Sequence, residues 1–126
     1  MITFPLSDRK LHTQELIEAF LDEQLVCFPT DTLYGLGGIV TPGVVARIET
    51  CKERLPGKHY SVIAPDRAWI ETHFDIPNNL DQLRQSWFTQ HGPLTILLTK
   101  KDPEQWNFLS STPRIGVRWL PHHPVQ

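Results

Sequence analysis

Three cations, Lys52, Arg54 and Lys58, stand close together in the segment Lys52-Glu53-Arg54-Leu55-Pro56-Gly57-Lys58. An arginine grips two oxygens at once and lysines add mobile point charges, so this spacing suits a clamp on phosphates. Complementing a helix dipole would account for Lys52 and Arg54 equally well, but it leaves Lys58, beyond the Pro56-Gly57 turn, without a role. A second group lies in Pro29-Thr30-Asp31-Thr32-Leu33-Tyr34-Gly35-Leu36-Gly37. Thr30 and Thr32 offer hydroxyls, Tyr34 a phenol, and the glycines allow a close backbone approach to a ligand. The plainer reading is a tight turn whose threonines cap backbone groups. The segment contains neither a GxxxxGK[ST] phosphate loop nor a dinucleotide fingerprint.

Two further segments complete the set, His91-Gly92-Pro93-Leu94-Thr95 and Arg114-Ile115-Gly116-Val117-Arg118-Trp119-Leu120-Pro121-His122-His123-Pro124. Arg118, directly after an apolar strand run, is placed to hold a carboxylate. His122 and His123 do not make a metal site, because adjacent histidines converge poorly on one ion and no third ligand has a recognisable spacing. Cys27 sits in an apolar run without a nearby base and reads as core. With Cys51 it makes two reduced thiols of a cytoplasmic protein, not a disulfide framework.

Short elements must position these groups. Leu11, Leu16, Ile17, Phe20 and Leu21 predict an amphipathic helix over 12–23. Leu25-Val26-Cys27-Phe28 predicts a buried strand, and 30–38 a loop. Pro42 starts a second helix, with Val44, Val45, Ile48 and Cys51 inside, ending near Arg54. Strands follow at 60–64, 94–98 and 115–118, with helical stretches at 66–74 and 78–91. Strands alternating with helices point to an α/β domain, with parallel and mixed pairing both open at this level.

The 126 residues suffice for one domain with a real core. No apolar run approaches the roughly 18–20 residues of a membrane span. The N-terminus lacks the basic and apolar regions of a signal peptide. A net charge of −2 argues against general nucleic-acid binding. Positive charge concentrates in residues 47–58, which carry Arg47, Lys52, Arg54 and Lys58 against Glu49 and Glu53. Such a patch suits a compact anion better than a long polyanion.

In this order, the four segments resemble the YrdC-like family of threonylcarbamoyl-AMP synthases. Phe28 to Gly37 is similar to that family's signature loop nearly letter for letter. Lys52, Arg54 and Lys58 match its Lys-x-Arg-x-x-x-Lys pattern, and Tyr60 to Ala64 its following strand. Gly92-Pro93-Leu94-Thr95, and Gly116-Val117-Arg118 with His123-Pro124, match later landmarks. The resemblance implies one α/β domain over 1–126, with a twisted, mixed sheet and flanking helices. It also implies that the family's C-terminal segment, which helps form the nucleotide site, is lacking here.

The activity implied is synthesis of threonylcarbamoyl-AMP from L-threonine, bicarbonate and ATP, releasing pyrophosphate. Downstream tRNA-modifying proteins would use the product at adenosine 37 of tRNA. On this resemblance Lys52 and Arg54 are the catalytic charges, and Lys52, Arg54, Lys58 and Arg114 bind ATP. Thr30, Thr32, Tyr34 and Arg118 bind threonine. Mg²⁺ would arrive on phosphate oxygens without a protein cage. The alternative is a non-catalytic relative that has lost part of the active site and holds a nucleotide, or makes weak contact with RNA. Salt separates the two, since RNA binding falls steeply with ionic strength and ignores threonine.

Overall fold

The computed structural model describes residues 12–30, 33–55, 57–82, 85 and 94–119. The chain divides into two compact units, Met1–Arg54 and Leu55–Gln126.

The first unit runs α1 (Thr13–Leu21), β1 (Val26–Pro29), β2 (Tyr34–Gly37) and α2 (Pro42–Cys51). The amphipathic pattern does form α1, but none of its residues is fully buried, and Leu21 is 70% exposed. In its first turn the Glu15 carboxyl is held below its ordinary range by its own backbone N–H and then by the His12 ring. Helix α2 starts as its sequence dictates, with Pro42 in the first turn and the Thr41 hydroxyl accepting from the Val44 N–H at 3.3 Å. It buries Val44, Val45 and Ile48.

Strands β1 and β2 form an antiparallel hairpin with Phe28 opposite Gly35 and Pro29 opposite Tyr34. The expected loop over 30–38 is thus half strand. Its glycines mislead because they depress strand propensity, yet here they make room. A Cβ on Gly35 or Gly37 would come within 3.2–3.3 Å of the Phe28 ring. Cys27 is not core as expected. It is exposed, because strand alternation points it away from the side of Val26 and Phe28. Cys51, expected inside α2, is exposed at that helix's last turn.

The second unit runs β3 (Ser61–Ala64), α3 (Arg67–His73), β4 (Phe74–Asp75), β5 (Thr95–Lys100) and β6 (Arg114–Trp119). Its four-stranded sheet has the order β3-β6-β5-β4. The β3–β6 pair is parallel, and the β6–β5 and β5–β4 pairs are antiparallel, so the sheet is mixed. Asp66 caps α3 by accepting from the Trp69 N–H at 2.7 Å. The helix expected over 66–74 gives way at Phe74 to a short strand, which buries that ring completely. Of the helix expected over 78–91, residues 80–82 and 85 are helical and most of the rest lies outside the described residues.

One sheet face carries Val62, Ala64, Leu98, Ile115 and Val117, which with Ile70, Phe74 and Leu80 make the core. Burying a side chain such as Phe74 or Ile115 contributes about 1.5–3 kcal/mol. Lys100 lies on the same side at 3% exposure, and its Nζ donates to Pro103 O, Gln105 O and Asn107 Oδ1 at 2.8–2.9 Å. It thereby organises the loop between β5 and β6. That loop places Trp106, with a left-handed φ of 55°, in a stack on Trp69.

Candidate functional site

In the first unit, the hairpin turn uses Thr30 as its clasp. Its Oγ1 donates to Leu33 O at 2.6 Å and accepts from the Leu33 N–H at 3.2 Å, while its N–H donates to Leu33 O at 3.0 Å. The capping role weighed from sequence is therefore present. Thr32 lies outside the described residues. Tyr34 opens β2 with 69% exposure, its phenol turned to solvent.

Lys52 and Arg54 end the same unit, on either side of Glu53. The Arg54 N–H donates to Glu49 O at 2.8 Å and the Glu53 N–H to Thr50 O at 3.3 Å. Those two bonds define a Schellman ending with Glu53 at the left-handed position, φ 48°. Glycine is the usual occupant there, because a Cβ is strained at positive φ. Helix α1 ends identically, with Glu23 at φ 56°. The sharp turn at Glu53 separates the two cations, with exposed Lys52 on the helix and half-buried Arg54 just beyond it.

Glu53→Gly is expected to raise stability by about 1 kcal/mol, read as a higher urea midpoint. A midpoint at or below the parent's would show that the glutamate side chain offsets its own backbone strain.

The remaining candidates lie in the second unit. Lys58 is exposed and follows Gly57, whose φ of 82° is that of a turn residue, while Pro56 of the expected turn lies outside the described residues. Arg114 and Arg118 share β6 at a spacing of four, which sets them on one face with Cα atoms roughly 13 Å apart. That face is opposite the core. Arg114 stands across from Thr99, and Arg118 stands between Ile63 and Thr95. Thr112 fixes where β6 begins, its Oγ1 donating to Arg114 O at 3.1 Å and accepting from the Arg114 N–H at 3.3 Å. Arg118 is half-buried, with its Nε inside the protein.

Between the two arginines Gly116 forms a floor. A Cβ there would lie 2.6 Å from Ser61 Oγ and 3.3 Å from Thr95 Cγ2. The register pairs Gly116 with Ser61 and Leu97, and Arg118 with Ile63 and Thr95. The result is a shallow surface of two hydroxyl residues and the exposed Leu97 around Gly116, with Arg118 two residues along the strand on the same face, suited to an anion that also carries hydrogen-bonding groups. Sequence reasoning gave no role to Ser61 or Thr95. The missing signal was strand register, which sets Ser61 opposite Gly116 and Thr95 opposite Arg118.

Among the described residues no group of three His, Cys, Asp or Glu side chains converges as a metal site, and no helix is long and apolar enough to cross a membrane.

A model of the Sua5/YciO/YrdC family, described as telomere recombination, matches residues 18–126. The chain belongs to this family. Threonylcarbamoyl-AMP synthases from two strains of Vibrio vulnificus are each 29% identical to this family member over 87 residues, 68% of its chain and 47% of theirs. It therefore spans about half the length of the curated relatives it matches. A doubly substituted Sua5 of P. abyssi superposes with a TM-score of 0.75, covering 92% of this chain and 35% of that one at 24% identity. That likeness establishes the mixed α/β fold expected of the YrdC-like family.

Proposed function

We propose that this chain handles the substrates of threonylcarbamoyl-AMP synthesis, joining L-threonine, bicarbonate and ATP with release of pyrophosphate. The observation that carries this reading is the surface around Gly116 on the second unit's sheet face, where Ser61 stands opposite Gly116 and Thr95 opposite Arg118. Threonine is a zwitterion with a hydroxyl, and it needs one fixed cation beside hydroxyl partners. In this reading Arg118 takes its carboxylate, while Thr30, Thr32 and Tyr34 serve its other polar groups. Lys52, Arg54, Lys58 and Arg114 take the ATP phosphates and offset charge on the departing pyrophosphate. Catalysis is then mainly positioning, with no covalent nucleophile.

The family match runs through both units, which supports treating residues 1–126 as one YrdC-like domain. The described residues do not supply a ligand set for Mg²⁺, so no step is assigned to a protein-held ion. The family uses ATP, which supports ATP binding here, and the product would pass to tRNA-modifying proteins. The vulnificus relatives are named for this synthesis, which supports the same assignment here.

The test is mass-spectrometric detection of threonylcarbamoyl-AMP after incubation with ATP, Mg²⁺, L-threonine and bicarbonate. Product is expected from the parent, and Lys52→Ala should weaken ATP binding about tenfold, the loss of one charge-assisted hydrogen bond. Unchanged ATP affinity in a folded Lys52→Ala variant would remove the phosphate clamp. A folded parent that binds ATP yet makes no product would leave nucleotide binding as its function.

A further inference from the structure

We infer that His59 is a positioning residue for the phosphate-binding cations, donating from Nδ1 to Ser110 and so holding Lys58 and Arg114 in place together. The inference rests on the proposed assignment of those two cations to ATP, and it names what sets their backbones.

Neither cation is anchored by its own position. Lys58 is exposed and follows the left-handed Gly57, while Arg114 is exposed at the first residue of β6. The residues beside them are tied to one another. The Tyr60 N–H donates to Leu109 O at 3.0 Å, and His59 Nδ1 lies 3.0 Å from Ser110 Oγ. Ser110 is 5% exposed, and its Oγ lies 3.0 Å from Thr112 Oγ1 and accepts from the Thr112 N–H at 3.2 Å. Thr112 in turn clasps the backbone of Arg114 through both its N–H and its carbonyl. An unbroken run of hydrogen bonds therefore leads from the residue after Lys58 to Arg114. Strand register agrees with it. Counted back two residues from Ser61 opposite Gly116, the parallel β3–β6 pairing sets His59 level with Arg114.

The protons in this run follow by counting. Thr112 Oγ1 has one hydrogen, and Arg114 O, which can only accept, takes it. Toward Ser110 the Thr112 hydroxyl must then accept, which uses the single hydrogen of Ser110. Ser110 Oγ has only lone pairs left for His59, so Nδ1 must carry a hydrogen. The neutral Nδ1–H tautomer and the imidazolium both satisfy this. The Nε2–H tautomer would set two acceptors against each other at a buried oxygen, a costly mismatch. A staple of the loop alone would affect stability and treat all ligands alike. Positioning of Lys58 and Arg114 affects ATP and spares threonine, which is assigned to other residues.

The test joins nuclear magnetic resonance of the histidine rings with calorimetric titration of the full chain by ATP and by L-threonine. The neutral His59 ring is expected as the Nδ1–H tautomer, read from its ring nitrogen-15 shifts. In His59→Ala the ATP affinity should fall about fivefold, the equivalent of one neutral hydrogen bond, with threonine affinity kept within about twofold. His59→Asn should restore ATP affinity, because its amide N–H can donate where Nδ1–H did. Ser110→Ala should lose as much as His59→Ala, and the double variant no more than either. An Nε2–H tautomer, parental ATP affinity in His59→Ala, or equal losses for both ligands would each overturn the role. The tautomer is read on the unaltered chain, so it decides even where a variant fails to fold. A parent that binds no ATP would remove the underlying assignment and this role with it, whereas parental affinity in His59→Ala removes this role alone.

Discussion

Lys100→Met is expected to destabilise the protein by about 3–5 kcal/mol, the range for removing one partner of a buried charged network. An ammonium has three donors, and here all three are engaged, with Pro103 O, Gln105 O and Asn107 Oδ1 at 2.8–2.9 Å. Methionine keeps the length and apolar stem of the side chain. The loss is therefore that of the ammonium, and three acceptors in the loop after β5 must find new partners. The same loop holds Trp106 in a left-handed conformation with its ring 5.4 Å from Trp69, so the indole stack should loosen with it. Urea unfolding followed by tryptophan fluorescence and circular dichroism reads both effects. At roughly 3–5 °C per kcal/mol, the thermal midpoint should fall by at least about 10 °C. Lys101→Met is the control. Its exposed side chain makes one bond to a carbonyl, and its effect should stay within about 0.5 kcal/mol. A Lys100→Met variant within 1 kcal/mol of the parent would mean that the loop does not depend on that cation.

Arg118→Ala is the change expected to damage the proposed reaction most. It shares a strand face with Gly116, and of the candidate cations in the second unit it alone pairs with Thr95 in the register. Removing it leaves the threonine carboxylate without its fork, which corresponds to about a hundredfold loss in kcat/KM for threonine. The KM for ATP should change by less than about twofold, since that ligand is assigned to other cations. Arg118→Lys should rescue little, because an ammonium cannot reproduce a two-pronged grip. Arg114→Ala should show the reverse pattern, losing ATP more than threonine. Steady-state pyrophosphate release with each substrate varied in turn measures these ratios. Equal losses for both substrates in Arg118→Ala would point to a structural role for the residue and sink the carboxylate assignment.

Much of the fold was legible because several local signals agreed. The Thr41-Pro42 start of α2, Asp66 ahead of α3 and the turn at Gly57 each follow from one residue's hydrogen-bonding or backbone preference. The apolar runs at 60–64, 94–98 and 115–118 became strands of nearly those lengths. The errors have physical reasons too. Tyr34 to Gly37 forms a strand despite two glycines, since the Phe28 ring occupies the room that side chains would need. Helix α2 ends in a glycine-type motif without glycine, so nothing in the letters marked Glu53 as left-handed. An apolar neighbourhood suggests core for Cys27, but a strand exposes alternate residues and the register decides which.

The sequence by itself determined the family. Residue types at fixed short spacings survive as a pattern of letters, and the Thr-rich loop, the cation segment and the Gly-Val-Arg strand are all local. Arg114 and Arg118 share one side of a strand because alternation is a property of the backbone alone, once β6 begins at Arg114 and not at the expected Ile115. Only the tertiary structure decided what lies beside them. Ser61, Thr95 and Gly116 become neighbours through one parallel and one antiparallel pairing, and register between distant strands leaves no trace in either strand's own letters. The same holds for Lys100, which reads in sequence as a polar strand end and becomes a buried cation only because a distant loop folds its oxygens onto it.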